Sequence, residues 1–425
     1  MWEAVKKRSE RKISIMPPKQ KVTKSAPAPK RKAPTPTQQV TPTPKFGNPR
    51  PVAGKSKFAD SDPNQREPLP PPTGPAPYRL PLSKVLGNNL SATKMVFHIL
   101  GDSGGVVDGT PQIRVAEKLT DQLEDGLDEE KPLFLYHLGD VVYFNGEWAS
   151  YYAQYFNPYA HYLAPIFAIP GNHDGSVNPT DSNSGIQTFV KVFCDTAPRR
   201  LPIAQNVNRD TMIQPNVYWT LQTPLANIIG LYTNVSESEG YVDDTQKAWF
   251  LSELKNAQTE RGAKALIVAL HHPVYSVDRD HGASTVMRTL LDTAFSSTGI
   301  APDLVLTGHV HNYQRFTRTF PTGSQAPYIV CGNGGYYHHS YVDQKNAPVQ
   351  TPNSSVYGDG IRFEKYCEDH WGFMRLTIDS SNGLRTLTAE YFNAPLPSEL
   401  GTAPAVLFDS FQIDLKANRV KTLPT

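Results

Sequence analysis

Apolar runs of three to six residues recur along the chain, and five of them stop at a short polar loop. Met95-Val96-Phe97-His98-Ile99-Leu100 runs into Gly101-Asp102-Ser103-Gly104-Gly105. Leu133 to Leu138 delivers Gly139-Asp140-Val141-Val142-Tyr143, and Pro165 to Ile169 delivers Pro170-Gly171-Asn172-His173-Asp174. Ala265 to Leu270 ends in His271-His272-Pro273, and Leu304-Val305-Leu306 gives out at Thr307-Gly308-His309-Val310-His311. Runs of this length bounded by turn residues read as buried strands.

Helical patterns lie between them. Thr110 as N-cap and Pro111 at the first position open a helix with Ile113, Ala116, Leu119 and Leu123 inward. An aromatic-rich helix covers Glu147 to Phe156, another starts at Asp243 or Asp244 and buries Trp249, Phe250 and Leu254, and a fourth covers Thr285 to Phe295. Strands at Val217 to Leu221, Ile228 to Tyr232, Tyr328 to Val330, Phe373 to Ile378 and Leu384 to Phe392 complete the reading. Residues 175–215 have little periodicity and read as a long insertion of the kind that shapes a substrate pocket. The order predicts an α/β domain with at least two sheet regions, in which ligands collect at the carboxyl ends of strands.

Composition divides the chain unevenly. Residues 1–80 hold 17 of the 38 prolines and 17 Lys/Arg against 5 Asp/Glu. The rest therefore has 42−17 = 25 basic and 40−5 = 35 acidic residues, so the overall +2 hides a basic segment ahead of an acidic body. Residues 1–80 are too poor in apolar side chains to offset their ordering entropy and read as a disordered Pro/Lys-rich tail, with 81–425 as one catalytic domain. The tail's lysines suit a polyanion or a membrane surface, and with so few aromatics among them specific nucleic-acid recognition is not expected. Cys194, Cys331 and Cys367 allow one disulfide or three buried free thiols. No run of eighteen apolar residues occurs and no apolar segment follows the charged start. The expectation is a soluble chain without transmembrane span or export signal, cytoplasmic on that reading, its compartment otherwise unassigned.

The chemistry sits at the strand ends. Asp102, Asp140, Tyr143, Asn172, His271, His309 and His311 pool two carboxylates, a phenol, an amide and three imidazoles. His309 and His311, two apart at a strand end, project the same way. This donor set lacks thiolates and suits two Fe, Zn or Mn ions with one carboxylate between them. Two such ions can activate a water and clamp a phosphoryl group. Glycine before the ligands at 101, 139, 171 and 308 is read as allowing sharp turns and close approach.

Taken in order, Asp102-Ser103-Gly104, Gly139 to Tyr143, Gly171 to Asp174, Val268-Ala269-Leu270-His271 and Gly308 to His311 resemble the calcineurin-like metallophosphoesterases. Gly104 in the first motif and Tyr143 in the second favour the purple acid phosphatase branch. The resemblance covers residues 95 to 393. It implies a four-layer α-β-β-α sandwich of two mixed sheets, with Fe(III) held by Asp102, Tyr143 and His311. A divalent Fe, Zn or Mn would be held by Asn172, His271 and His309, with Asp140 bridging. A phenolate does suit a trivalent ion, and amide and imidazole a divalent one. The resemblance further implies that His173, beside Asn172 in the substrate site, binds or protonates the leaving group, and that His281 is a second catalytic histidine. The implied activity is an acid-type phosphomonoesterase acting on phosphate esters by attack of metal-bound hydroxide. The alternative is a phosphodiesterase on the same scaffold, acting on nucleotides or lipid head groups. His98 reads as a core histidine, His272 as turned away from His271, and His338-His339 as a pair near the site mouth. His137 and His161 carry no functional argument.

Overall fold

The structure is a computed structural model that describes residues 68–234, 239–342, 349–353, 356–358 and 360–425. The tail expected over residues 1–80 therefore lies mostly outside the described residues. Its last part does not behave as tail. Thr73 and Gly74 donate backbone hydrogen bonds to Pro215, and strand β1 (Arg79–Pro81) adds to a sheet. Leu80 is buried and Arg79 pairs with buried Glu253, so contacts made with residues far along the chain recruit a segment whose composition alone says loop.

A short helix α1 (Ser83–Leu86) leads to β2 (Lys94–Leu100), helix α2 (Thr110–Asp125), β3 (Leu135–His137) and β4 (Ile166–Ala168). Next come α3 (Asn172–Gly175), α4 (Ile186–Phe193), β5 (Trp219–Gln222), β6 (Ala226–Gly230), α5 (Asp244–Gln258) and β7 (Ala265–Ala269). Helix α6 (Thr285–Thr298) and β8 (Leu304–Thr307) follow, then β9 (Tyr313–Thr319), β10 (Gln325–Cys331) and β11 (Ile361–Cys367). The last strands are β12 (Gly372–Asp379), β13 (Thr386–Asn393), β14 (Val406–Asp414) and β15 (Arg419–Thr422). They form two mixed sheets, ordered β1-β5-β6-β7-β8-β10-β9-β11 and β15-β14-β13-β12-β2-β3-β4.

Three of the parallel crossovers use α-helices, the usual way to carry the chain back across a sheet. Helix α2 links β2 to β3, α5 links β6 to β7, and α6 links β7 to β8. The strands β3, β4, β6, β7 and β8 are buried at every residue, which is why they read as unbroken apolar runs. The sheets meet face to face through rings: Trp219 of β5 stacks on Tyr136 of β3 at 6.0 Å, and Tyr313 of β9 on Tyr391 of β13 at 3.9 Å.

Several local expectations shift. The cap of α2 is Gly109, with Thr110 the first helical residue; Asp108 Oδ1 accepts from both the Thr110 amide and hydroxyl. The buried face of α2 is Gln112, Val115, Ala116 and Leu119, and Ile113 is half-exposed. Gln112 takes an inward place because it donates to Gln154 O and accepts from the Gly105 amide. Residues 148–156 form a 3-10 turn running into a π turn at Tyr152–Phe156 rather than an α-helix. The 175–215 insertion contains α4, whose Ile186, Phe189, Val192 and Phe193 are buried. Asp243 caps α5, accepting from the Gln246 amide at 2.7 Å. All three cysteines are free and buried. Among the described residues no helix is long and apolar enough to cross a membrane.

Candidate functional site

The five polar loops leave parallel strands of both sheets at their carboxyl ends, and there they are sewn together. The Gly101 amide donates to Cys331 O, Asp102 N to Gly139 O, Ser103 N to Asp140 O, Gly308 N to His271 O and Tyr336 N to Asp102 O. The first and last of these bonds cross from one sheet to the other and the remaining three join neighbouring loops of one sheet, so the loops form one rigid floor.

Within that floor Asp102, Asp140 and His309 have positive φ, at 56°, 56° and 69°. A non-glycine residue in this region is uncommon and persists where the surroundings demand it. The turn is thus taken mainly by the chemical residues themselves. Of the four preceding glycines only Gly139 has positive φ, at 101°. Gly171 and Gly308 serve close approach instead: a Cβ at Gly171 would stand 2.1 Å from Asp140 Oδ1, and one at Gly308 2.5 Å from Asp102 Oδ2.

Each buried aspartate spends one oxygen on a neighbouring loop and turns the other inward. Asp102 Oδ2 accepts from the His309 amide at 2.8 Å, while Oδ1 lies 3.3 Å from the Tyr143 hydroxyl and 3.7 Å from His311 Nε2. Tyr143 and His311 are 3.4 Å apart at the same atoms. Asp140 Oδ1 accepts from the His173 amide at 2.9 Å, while Oδ2 is buried without a hydrogen-bond partner, 3.4 Å from His271 Nε2. Asn172 Oδ1 stands 3.0 Å from both His271 Nε2 and His309 Nδ1. His271 Nδ1–H donates to Leu138 O at 2.8 Å, which reserves Nε2 for the pocket. The seven residues pooled from the sequence therefore come together as two groups of three with Asp140 beside them. Donor atoms about 2.1 Å from one ion lie about 3 Å from each other, so both groups are spaced to hold a cation.

The electrostatics show what the pocket lacks. Burial, reinforced by the Asp140 charge and opposed by His271, holds the Asp102 carboxyl well above its usual range. For Asp140 burial works in the same direction, but His271 and His173 outweigh it and hold the carboxyl low. Burial disfavours charge on His271, yet Asp140 and Asp102 prevail and raise it to about 9. Burial and neighbouring imidazoles depress His309 and His311, and burial with the two carboxylates raises the Tyr143 phenol. Among the described residues neither Asp102 nor Asp140 pairs with a lysine or arginine. Two buried carboxylates compensated only by imidazoles suit added positive charge.

His173 lies against Tyr143 with ring centroids 4.5 Å apart, its Nδ1–H donating to Phe144 O at 2.7 Å. The ring of half-buried His281 stands 4.8 Å from that of His309 and 5.5 Å from that of His311. His272, read as turned away from His271, instead meets its ring edge-on at 5.4 Å and packs on His309 at 4.5 Å, with Nδ1 2.7 Å from Thr233 Oγ1. The 338–339 pair splits, His338 facing His311 at 5.7 Å and His339 lying over Trp371 at 4.2 Å. His98 is a core histidine between Tyr162 and Gln122.

Sequence reasoning missed the residues that hold the loops. His137 accepts from the Gly139 amide and so donates Nε2–H to Ser103 Oγ at 2.8 Å. Asp174 accepts from the amides of Gly171 at 2.9 Å, Val141 at 3.1 Å and Val142 at 3.1 Å, tying the second loop to the third. Burial and then the Asp140 charge push Asp174 up to about 7 despite these donors. Gln154, on the π turn, accepts from Tyr143 N at 2.8 Å and donates to Tyr143 O at 3.0 Å. Asp278 accepts from the amides of Asp280, His281 and Gly282 and lies 3.6 Å from His281 Nδ1. Only Asp174 carried a signal, as the last residue of its motif.

Comparison with known proteins agrees with this arrangement. Purple acid phosphatase 21 of Arabidopsis thaliana is 25% identical over 229 residues, 51% of this chain and 48% of that protein. The fold is shared with the purple acid phosphatase PPD1 from yellow lupin (Lupinus luteus) seeds, with a TM-score of 0.52 and 18% identity over 76% of this chain and 54% of that one. The chain thus spans about half the length of these relatives. The family profile for calcineurin-like phosphoesterases matches residues 95–313, which hold all five loops and just over half of the 425 residues. With fold, loop order and profile in agreement, this chain belongs to the calcineurin-like phosphoesterase family and is similar within it to purple acid phosphatases.

Proposed function

We propose that the chain is a phosphoric ester hydrolase with two metal ions, acting on phosphomonoesters with an acidic optimum. One observation carries the reading: seven donor groups from five strand ends converge as two sets of three, with donor atoms 3.3–3.7 Å apart in one and 3.0 Å from Asn172 Oδ1 in the other, beside the unpartnered Asp140 Oδ2. Asp102, Tyr143 and His311 would hold one ion, Asn172, His271 and His309 the other, with Asp140 between them. The phenol of Tyr143 favours Fe(III) at the first position, and the amide and imidazoles favour divalent Fe, Zn or Mn at the second. Bound together, the ions would supply a nucleophile at acid pH and offset charge on phosphoryl oxygens.

The protein's own groups do the rest. Asn172 and His173 orient the phosphoryl group. The Nδ1 proton of His173 is held by Phe144 O, so in the imidazolium form Nε2–H faces away from that bond and can hand its proton to the departing alkoxide, leaving the neutral ring. Asp278 steadies the turn that carries His281 at the mouth, where its ring serves as a second proton donor or anion contact. The basic segment ahead of the domain is assigned a tethering role toward polyanions or membrane surfaces, separate from turnover.

The test is hydrolysis of a chromogenic phosphate monoester and its bis-ester from pH 4 to 9, with metal content measured and Asp140→Asn as control. Monoester turnover strongest at acid pH and lost in the control supports the proposal. Preference for the bis-ester at neutral pH replaces it with a phosphodiesterase. Absence of turnover with metals bound overturns it.

A further inference from the structure

The rings beside the candidate metal centre do not belong to the main core. Val106, Tyr143 and Tyr336 form a separate buried cluster, with Phe144 and Tyr337 half-buried against it. This cluster extends the centre outward. The Tyr336 ring lies 4.4 Å from Tyr143 and 4.1 Å from His311, and its further neighbours are Tyr337 at 4.8 Å and His338 at 5.0 Å. On the other flank Phe144 meets the His173 ring edge-on at 6.0 Å and the Tyr336 ring at 6.4 Å. At the rim Val107 is 46% exposed and has a φ of 64°, a conformation that β-branched residues avoid. A cluster serving only stability would cover its rings, whereas Phe144, Tyr337 and His338 all keep surface in water.

From this wall we infer a leaving-group subsite for phosphate esters whose alcohol carries a planar aromatic ring. The inference rests on the hydrolase reading for its orientation, with phosphate toward Asp140 and the ring toward Phe144 and Tyr337. Three observations favour a ring over a sugar or polyol. The wall presents aromatic faces and edges, which pair with another ring at 4.5–7 Å. Of its side chains Val106, Val107, Phe144, Tyr336, Tyr337 and His338, the first three and the inward ring of Tyr336 offer little to a hydroxyl, which would lose water there without gaining a partner. None of these six is a lysine or arginine, so the wall itself offers a second phosphate on the leaving group no fixed cation. Position agrees with this: the Phe144 ring stands edge-on to His173 at 6.0 Å, and the Phe144 carbonyl holds that histidine by Nδ1.

The test compares benzylphosphonate with butylphosphonate by calorimetric titration of the full chain as purified. Neither ligand can be hydrolysed, so binding is read apart from turnover. Stacking predicts that benzylphosphonate binds about tenfold more tightly, about 1.4 kcal/mol, that Tyr337→Ala brings the ratio to within twofold, and that Tyr337→Phe restores it. Equal affinities in the unmodified protein, or a ratio that survives Tyr337→Ala and Phe144→Leu alike, overturn the subsite, as does failure of both ligands to bind. Benzyl and butyl phosphates, both leaving as alkoxides, then separate the two readings. A ring preference in binding with no turnover of either ester keeps the subsite and removes the hydrolase, and turnover without a ring preference does the reverse.

Discussion

Replacing Asp174 tests whether the loops proposed to hold the metal ions are fixed by the protein itself. Its carboxylate is fully buried and receives three backbone amides, two from the loop that carries Asp140 and one from the loop that carries Asn172. In Asp174→Asn one oxygen survives. If it serves Val141 and Val142, the new amide faces the Gly171 N–H and one buried donor is orphaned, at about 1–3 kcal/mol. Asp174→Ala orphans all three donors, and even with partial relaxation the loss is at least about 3 kcal/mol. For a domain of this size each kcal/mol moves the midpoint by roughly 1.3 °C, so the expected falls are about 1–4 °C for Asn and about 4 °C or more for Ala. The function falls further than the fold, because Asp140 Oδ1 and Asn172 lose their common anchor and a shift of about 1 Å costs on the order of a hundredfold in rate. The assay is thermal unfolding by circular dichroism at pH 7.5, with metal stoichiometry and ester hydrolysis on the same samples. A midpoint within 1 °C of the parent and full metal content in Asp174→Ala would refute the clamp.

Other substitutions probe the site from different sides. Gly171→Ala puts a Cβ 2.1 Å from Asp140 Oδ1 and 2.5 Å from the Asp140 amide, so metal content and turnover should both collapse, the latter by about a hundredfold or more; normal metal stoichiometry would contradict the packing. Tyr143→Phe keeps the ring in its cluster but removes the phenol, and should abolish visible absorption of iron-loaded protein while leaving the fold intact by circular dichroism. His271 sits at about 9 in the metal-free pocket against 6.5 unfolded, so its contribution to stability is full below about pH 6.5 and disappears as pH rises through 9. Metal must displace that proton, so loading the metal-free protein at pH 7.5 should release a proton and the apparent affinity should climb up to pH 9; titration in two buffers of different ionisation enthalpy reads this directly. Deleting residues 1–67 should leave ester turnover unchanged, and loss of turnover would show that the segment contributes to the site.

Much of the architecture was legible because parallel strands buried on both faces have no freedom to be polar. Leu133 to Leu138 or Ala265 to Leu270 can be nothing else in a chain that also supplies helices between them. The strands that escaped notice were β1, β9, β11, β14 and β15; β14 carries glutamine and aspartate, and the others arginine or lysine, at half-buried or exposed positions, so neighbouring strands and not local pattern decide their state. The seven donor residues were legible for a related reason. Chemistry placed at the ends of buried strands stands out as polarity where an apolar run stops.

What the chain order could not convey is which polar side chains hold the others. Asp174, Gln154, Asp278 and His137 look like ordinary turn, helix or core residues, and their roles exist only because loops far apart in sequence lie within hydrogen-bond reach. The same holds for the aromatic wall, where residues 106, 144 and 336 meet through two different sheets. Short-range pattern therefore determined the strands, the loop order and the donor set. Only tertiary packing decided the clamp partners, the turn taken by Asp102, Asp140 and His309 in place of glycine, and the face offered to a leaving group, since each depends on the distance between segments that no local propensity encodes.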